Sequence, residues 1–170
     1  MHMADVLINK VTESGIITLD LETFFPKEEI VEIDIKNFLF RELILKEKEF
    51  RTILKEHNWS LYENKTVAIF CSTEAILPQW SYMLIVSNLL AQTNKLFFGN
   101  KEKVECDLLL QNIKNLDATK YENERVIIKG CGNKTISEEA YIEITKKLQP
   151  FVKSLMFGEA CSTVPVYKRK

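Results

Sequence analysis

From Thr66 onward, short apolar runs take turns with longer segments whose apolar residues recur at helical spacing. Thr66–Phe70 (TVAIF) is a strand-length run that is apolar on both faces, and 76–91 is helix-length, with Pro78 near its first turn. Residues 96–98 read as a strand, 104–116 as a helix, 125–129 (RVIIK) as a strand, 138–148 as a helix and 154–157 (SLMF) as a strand. Strands too apolar to keep a wet face, joined by helices, leave few architectures open. The expectation is α/β: a three-layer αβα sandwich with a mainly parallel sheet.

An internal repeat sharpens this reading. Cys71 precedes Tyr82 by 11 residues and Cys131 precedes Tyr141 by 10, while Tyr82 to Gly99 and Tyr141 to Gly158 are both 17. In that register Ile85 matches Ile144, Leu89 matches Leu148, and Phe98-Gly99 matches Phe157-Gly158. Residues 66–100 and 125–159 are thus two βαβ units on one plan. The first third reads as an N-terminal β extension over 1–35, with 16–21 (IITLDL) and 30–35 (IVEIDI) alternating like strands. Helical spacing then runs from Phe38 to Glu56 and ends at His57-Asn58. At 170 residues the whole is expected to be one α/β domain.

Composition excludes several functions. Lys plus Arg is 23 against 24 Asp plus Glu, so no basic excess points to nucleic acid. The closing Tyr167-Lys168-Arg169-Lys170 reads as a solvated terminus. The most apolar segment, 82–91, is broken by Ser87 and Asn88 and is too short to span a bilayer. Residues 1–5 do not resemble a signal peptide, and Met1-His2 ahead of Met3 looks like a cloning remnant. The expected location is the cytoplasm, where cysteines stay as thiols or metal ligands. A homodimer is expected on base rate alone.

The four cysteines, at 71, 106, 131 and 161, form no CxxC knuckle, which excludes a zinc ribbon or a thioredoxin motif. In open parallel sheets, ligands bind beyond the carboxyl ends of the strands. Cys71 follows Phe70 directly, Cys131 follows Lys129-Gly130, and Cys161 lies four residues past Phe157. These three are the candidate site, while Cys106 falls within a helix and reads as a small buried hydrophobe. Cys71 and Cys131 each precede a helix, whose N-terminal dipole favours a thiolate. Cys71-Ser72-Thr73 recurs as Cys161-Ser162-Thr163, placing hydroxyls near sulfur, and Gly130 and Gly132 flank Cys131. The plain alternative is that all three thiols fill space, since free cysteine is commonly buried.

Three thiolates suit a soft metal such as iron or zinc, or an iron–sulfur cluster. The competing reading, a cysteine nucleophile, wants a nearby base. His57 is the one credible histidine, but its place at the end of a helix puts it at the opposite sheet edge from Cys71. It reads as a helix cap beside Trp59. Glu74, Trp80, Tyr82, Glu138, Glu139 and Tyr141 are pocket candidates that core packing and helix dipoles also explain. Asp20 and Glu22 read as the solvated face of a strand, and Gly99-Asn100 and Gly158-Glu159 as turns. No GxGxxG or P-loop follows a strand.

Glu13-Ser14-Gly15-Ile16-Ile17-Thr18-Leu19-Asp20-Leu21, Lys129-Gly130-Cys131 and Gly158-Glu159-Ala160-Cys161-Ser162-Thr163-Val164-Pro165-Val166-Tyr167-Lys168-Arg169 resemble the domain-of-unknown-function family numbered 2480. The resemblance runs from Asp5 onward and implies a bacterial protein, typical of Bacteroidetes, with no assigned activity. It also implies a gene context near the sulfur-mobilisation machinery for iron–sulfur clusters. The positions it carries over are Cys71, Cys131 and Cys161. The leading expectation is therefore an accessory factor of iron–sulfur cluster assembly, partnered by assembly proteins, that binds a metal, a cluster or sulfur through these three cysteines. A thiol-dependent enzyme and a non-catalytic interaction scaffold stay open beside it.

Overall fold

The computed structural model describes residues 9–11, 15–129, 132–159 and 162–170. They form a mixed α/β fold in which the strands divide between two sheets. Among the described residues four of the six strand pairings are parallel. Two compact units make up the chain: Lys27–Glu105 is contiguous, and Met1–Pro26 with Cys106–Lys170 is discontinuous.

In the contiguous unit β3 (Ile30–Asp34), β4 (Thr66–Phe70) and β5 (Leu96–Phe98) lie side by side, all parallel. Helix α1 (Glu47–Glu56) joins β3 to β4, and α2 (Gln79–Leu89) joins β4 to β5. Right-handed crossovers made successively in one direction put both helices on one face of a sheet. The core agrees: Phe50 and Leu54 of α1, Ile85 and Leu89 of α2, and Val67 and Ile69 of β4 form one buried cluster. Ala68, on the opposite face of β4, is also fully buried, which explains the unbroken apolar run.

The discontinuous unit follows the same plan with an added edge at each side. Its order is β1 (Asn9–Val11), β2 (Ile16–Leu19), β6 (Arg125–Ile128), β7 (Ser154–Glu159) and β8 (Ser162–Lys168). The three inner strands are parallel, and β1 and β8 run antiparallel to their neighbours. Leu109 and Ile113 of α3 (Lys101–Lys114) share a cluster with Ile144 and Leu148 of α4 (Glu138–Leu148) and with Val126 and Ile128.

The duplication reaches atomic detail. Val67 corresponds to Val126 and Leu96 to Leu155, an offset of 59 in both. At that offset α2 and α4 coincide end for end, and their inward triads, Ser81–Ile85–Leu89 and Ala140–Ile144–Leu148, are all fully buried. Asn64 and Asn123 share a left-handed φ, 59° and 60°, as do Gly99 and Gly158, 127° and 123°. The Tyr82–Phe98 and Tyr141–Phe157 rings meet edge to face at 5.9 and 5.7 Å. Both strands of the N-terminal β extension are present, and each is the first parallel strand of its sheet, β2 beside β6 and β3 beside β4.

Four local expectations are corrected. The helix expected from Phe38 begins only at Glu47. Ahead of it, Phe40 and Ile44 bridge across a tight turn with Arg41 and Glu42 at positive φ. Pro78 is the N-cap of α2 rather than a first-turn residue. The C-terminal segment is not a solvated tail but strand β8, and Arg169 anchors it. That guanidinium donates to Asn123 Oδ1 and to the carbonyls of Pro150 and Phe151 at 2.8–2.9 Å. Asp20 and Glu22 lie past the end of β2 rather than along it.

Candidate functional site

In each unit the first parallel strand leads into a 3-10 turn capped by an aspartate. Asp34 accepts the Lys36 backbone N–H at 3.1 Å, and Asp20 accepts that of Glu22 at 2.9 Å. A side-chain oxygen that meets a turn's first free N–H is what fixes such a corner. What the second carboxylate oxygen does then separates the two units.

Asp34 ties down the loop after β4, accepting the Ser72 hydroxyl at 2.6 Å and the Ser72 N–H at 3.1 Å. Partial burial works to raise its pKa, but the Ser72 hydroxyl, the two backbone donors and Lys36 outweigh it, so the carboxyl is held below its usual range. Cys71 is half-buried in this loop, with Sγ 3.4 Å from Thr73 Oγ1, which donates to the Glu42 carbonyl at 3.0 Å. Burial, and the Cys71 thiol beside it, push the Tyr82 hydroxyl upward.

In the discontinuous unit Asp20 receives the Lys129 ammonium at 2.8 Å. That hydrogen bond, then the charge of Asp20, and then those of Glu159 and Glu22 raise the Lys129 pKa against its desolvation. Glu22 also accepts the Lys134 backbone N–H and fills the space a Cβ on Gly132 would take. The Lys134 ammonium rests over the Phe25 ring, 4.3 Å from its centroid. Glu159 Oε1 is buried with no hydrogen-bond partner among the described residues. Asp20 thus pairs with Lys129, and the charges of Glu22 and Glu159 act on it from farther off, at the carboxyl ends of β2, β6 and β7.

The matching edge of the contiguous unit lacks this set. Phe70 stands where Lys129 does, Lys36 where Glu22 does, and Asn100 where Glu159 does. Two copies of one plan have diverged at the edge where such folds place ligands.

Cys131 and Cys161 lie outside the described residues. By chain position each is two residues from a member of the charged set, Lys129 and Glu159, within about 7 Å of extended chain. Cys71 belongs to the contiguous unit. The offset of 59 pairs Cys71 with Gly130 and Cys131 with Ser72, so the two thiols are not equivalent in the repeat. Among the described residues no three His, Cys, Asp or Glu side chains are grouped closely enough to hold a metal. Cys106 packs against its unit's core, with Sγ 3.5 Å from Ser137 Oγ. His57 caps α1, its Nε2 3.1 Å from the Tyr62 hydroxyl and its ring 4.7 Å from that of Trp59.

The sequence reading therefore missed Asp20, Glu22, Lys129 and Glu159 as a group. The signal was present as Leu19-Asp20-Leu21 before Phe24 and Ile33-Asp34-Ile35 before Phe38, a second repeat matching the first.

No helix among the described residues is long and apolar enough to cross a membrane. A family model described as "Protein of unknown function (DUF2480)" matches residues 5–169. No curated protein and no solved structure matches the chain.

Proposed function

The chain belongs to the DUF2480 family, and from the site itself we propose that it binds a soft metal ion or iron–sulfur cluster at the carboxyl edge of the discontinuous unit. The observation that carries this reading is the surplus of carboxylates there. Asp20, Glu22 and Glu159 act on Lys129, and one buried Glu159 oxygen has no donor among the described residues. An excess of negative charge favours a cationic ligand and opposes an anionic one. Soft thiol donors beside an excess of carboxylate suit a metal cation, and this ranks the cysteine-nucleophile reading second.

The ligands we assign are the thiols of Cys131 and Cys161, soft donors suited to zinc, iron or a cluster, with Glu159, two residues before Cys161 in the sequence, as an oxygen donor. The cellular role we attach is an accessory of iron–sulfur cluster assembly, the context that the family resemblance implies. Cys71 belongs to the contiguous unit, and its peptide is the comparison in the same experiment. The protein is alkylated with iodoacetamide across pH 6 to 9, with and without zinc, and each cysteine peptide is followed by mass spectrometry. The proposal expects Cys131 and Cys161 to be protected from alkylation by zinc. Fast, zinc-indifferent alkylation of Cys131 or Cys161 near neutral pH would overturn the proposal in favour of a nucleophile.

A further inference from the structure

At the amino edge of its sheet the contiguous unit seats a carboxylate of its own. Thr66, the first residue of β4, and Lys95, just ahead of β5, share the sheet face away from the core side chains Val67 and Leu96. Both reach Glu28, two residues ahead of β3. The Thr66 hydroxyl donates to Glu28 Oε2 at 3.3 Å, and the Lys95 ammonium donates to the same oxygen. The Lys95 hydrogen bond holds the Glu28 carboxyl below its usual range. The duplicate keeps such a row and has no glutamate for it. At the offset of 59 Arg125 replaces Thr66 and Ser154 replaces Lys95, and β8 adds Lys168, the register partner of Ser154. The first strands differ by 14, so Ser14 and Gly15 stand where Glu28 and Glu29 do. Arg125 and Lys168 are exposed and Ser154 is half-buried. None of these three side chains has a hydrogen-bond or ion-pair partner among the described residues, and Glu124, beside Arg125 in the chain, makes no ion pair with it.

We propose that the Arg125–Ser154–Lys168 row binds a carboxylate from outside the chain, the acidic side chain of a partner protein. The duplicate supplies the ligand chemistry, because the equivalent row of the contiguous unit holds a glutamate. The residues suit it. Neighbouring strands lie about 5 Å apart, so a guanidinium and an ammonium flank one hydroxyl. The planar guanidinium can grip both oxygens of a carboxylate. An exposed row on a sheet edge has no walls to enclose a small molecule, which selects a side chain carried on a protein surface. Lys153 and Lys170, beside Ser154 and two past Lys168 in the chain, add charge that steers an acidic segment to this edge.

The test follows a fluorescein-labelled hexaglutamate peptide by anisotropy at low salt, with circular dichroism as the folding check. The full chain is compared with Arg125→Gln, Lys168→Gln and Lys55→Gln, the last removing the same charge from exposed α1. The proposal expects the wild type to bind, R125Q and K168Q each to weaken binding by at least about threefold, and K55Q to leave it unchanged. Carbodiimide coupling, which joins a lysine to a carboxylate in contact with it, needs no variant to fold. Mapped by mass spectrometry, it should link Lys95 to Glu28 within the wild-type chain, and Lys168 to the peptide. A wild type that does not bind, binding indifferent to R125Q, or peptide coupled evenly across the exposed lysines would overturn the proposal. So would displacement of the peptide by inorganic phosphate but not by glutarate, the mark of a phosphate site. Coupling of Lys168 to a second copy of the chain without peptide would overturn it in favour of self-association.

Discussion

Asp34 shows what a single carboxylate does in this fold. It holds the turn after β3 and the loop after β4 at once, through Lys36 and Ser72. Its pKa is depressed in the folded chain, so its charge stabilises the fold above the ordinary aspartate range, and that stability is lost as pH falls through the folded value. Urea unfolding should place Asp34→Asn about 1–2 kcal/mol below the wild type at pH 7. The gap should close toward pH 3, and a gap independent of pH would contradict the assignment. His57 also loses stability on acidification, but because the fold favours its neutral form rather than its charged one. Burial lowers its pKa beneath the ordinary value, so the fold holds it neutral, and the stability this gives is present above about pH 6.5 and lost below it. Relative to His57→Gln, the wild type should lose stability between pH 7 and 5 and keep a constant difference above pH 7. The cap role of His57 and its Trp59 neighbour were legible in the sequence, because a helix end and an adjacent aromatic are local facts. The Asp20–Lys129 pair was not. Its partners are 109 residues apart, and strand alternation explained Asp20 just as well.

At the scale of elements, the buried strands and the helix 138–148 were read to within a residue or two, since period and apolarity both mark them. The failures share a cause: a local pattern with two solutions. Apolar residues from Phe38 to Ile44 match a helix, yet they form a 3-10 turn and a tight bridge, with Leu43 and Ile44 more than half exposed. Strand β8 was hidden by Pro165, which is tolerated because β8 is an edge strand with an irregular register against β7. The glycines that end the parallel strands test the duplication directly. Both have positive φ, but a Cβ on Gly99 would meet the flexible Lys103 side chain at 2.6 Å, whereas one on Gly158 would meet the Ser162 backbone carbonyl. Thermal unfolding should therefore show Gly158→Ala as the more damaging by about 1 kcal/mol or more. Equal losses would mean that β8 yields at this corner.

Across the whole molecule, one plan is used twice and keeps different chemistry in its two copies. The α/β class and the parallel pairing were legible because both follow from apolar runs and crossover length. The division into two sheets was not, because β2 joins β6 across the entire intervening unit. The contiguous unit closes its strand ends with a hydrogen-bonded Asp34–Ser72 corner. The discontinuous unit gathers Asp20, Glu22, Lys129 and Glu159 there, next in sequence to Cys131 and Cys161. That contrast is the ground for placing the function at the second edge. The most direct test is the iron, zinc and acid-labile sulfide content of protein purified without oxygen, with its absorption spectrum, beside the Cys131→Ser/Cys161→Ser double variant and Cys71→Ser. The account predicts bound metal in the wild type that is lost in the double variant while the fold persists. A wild type that is colourless and metal-free, even after anaerobic reconstitution with iron or zinc, would contradict it.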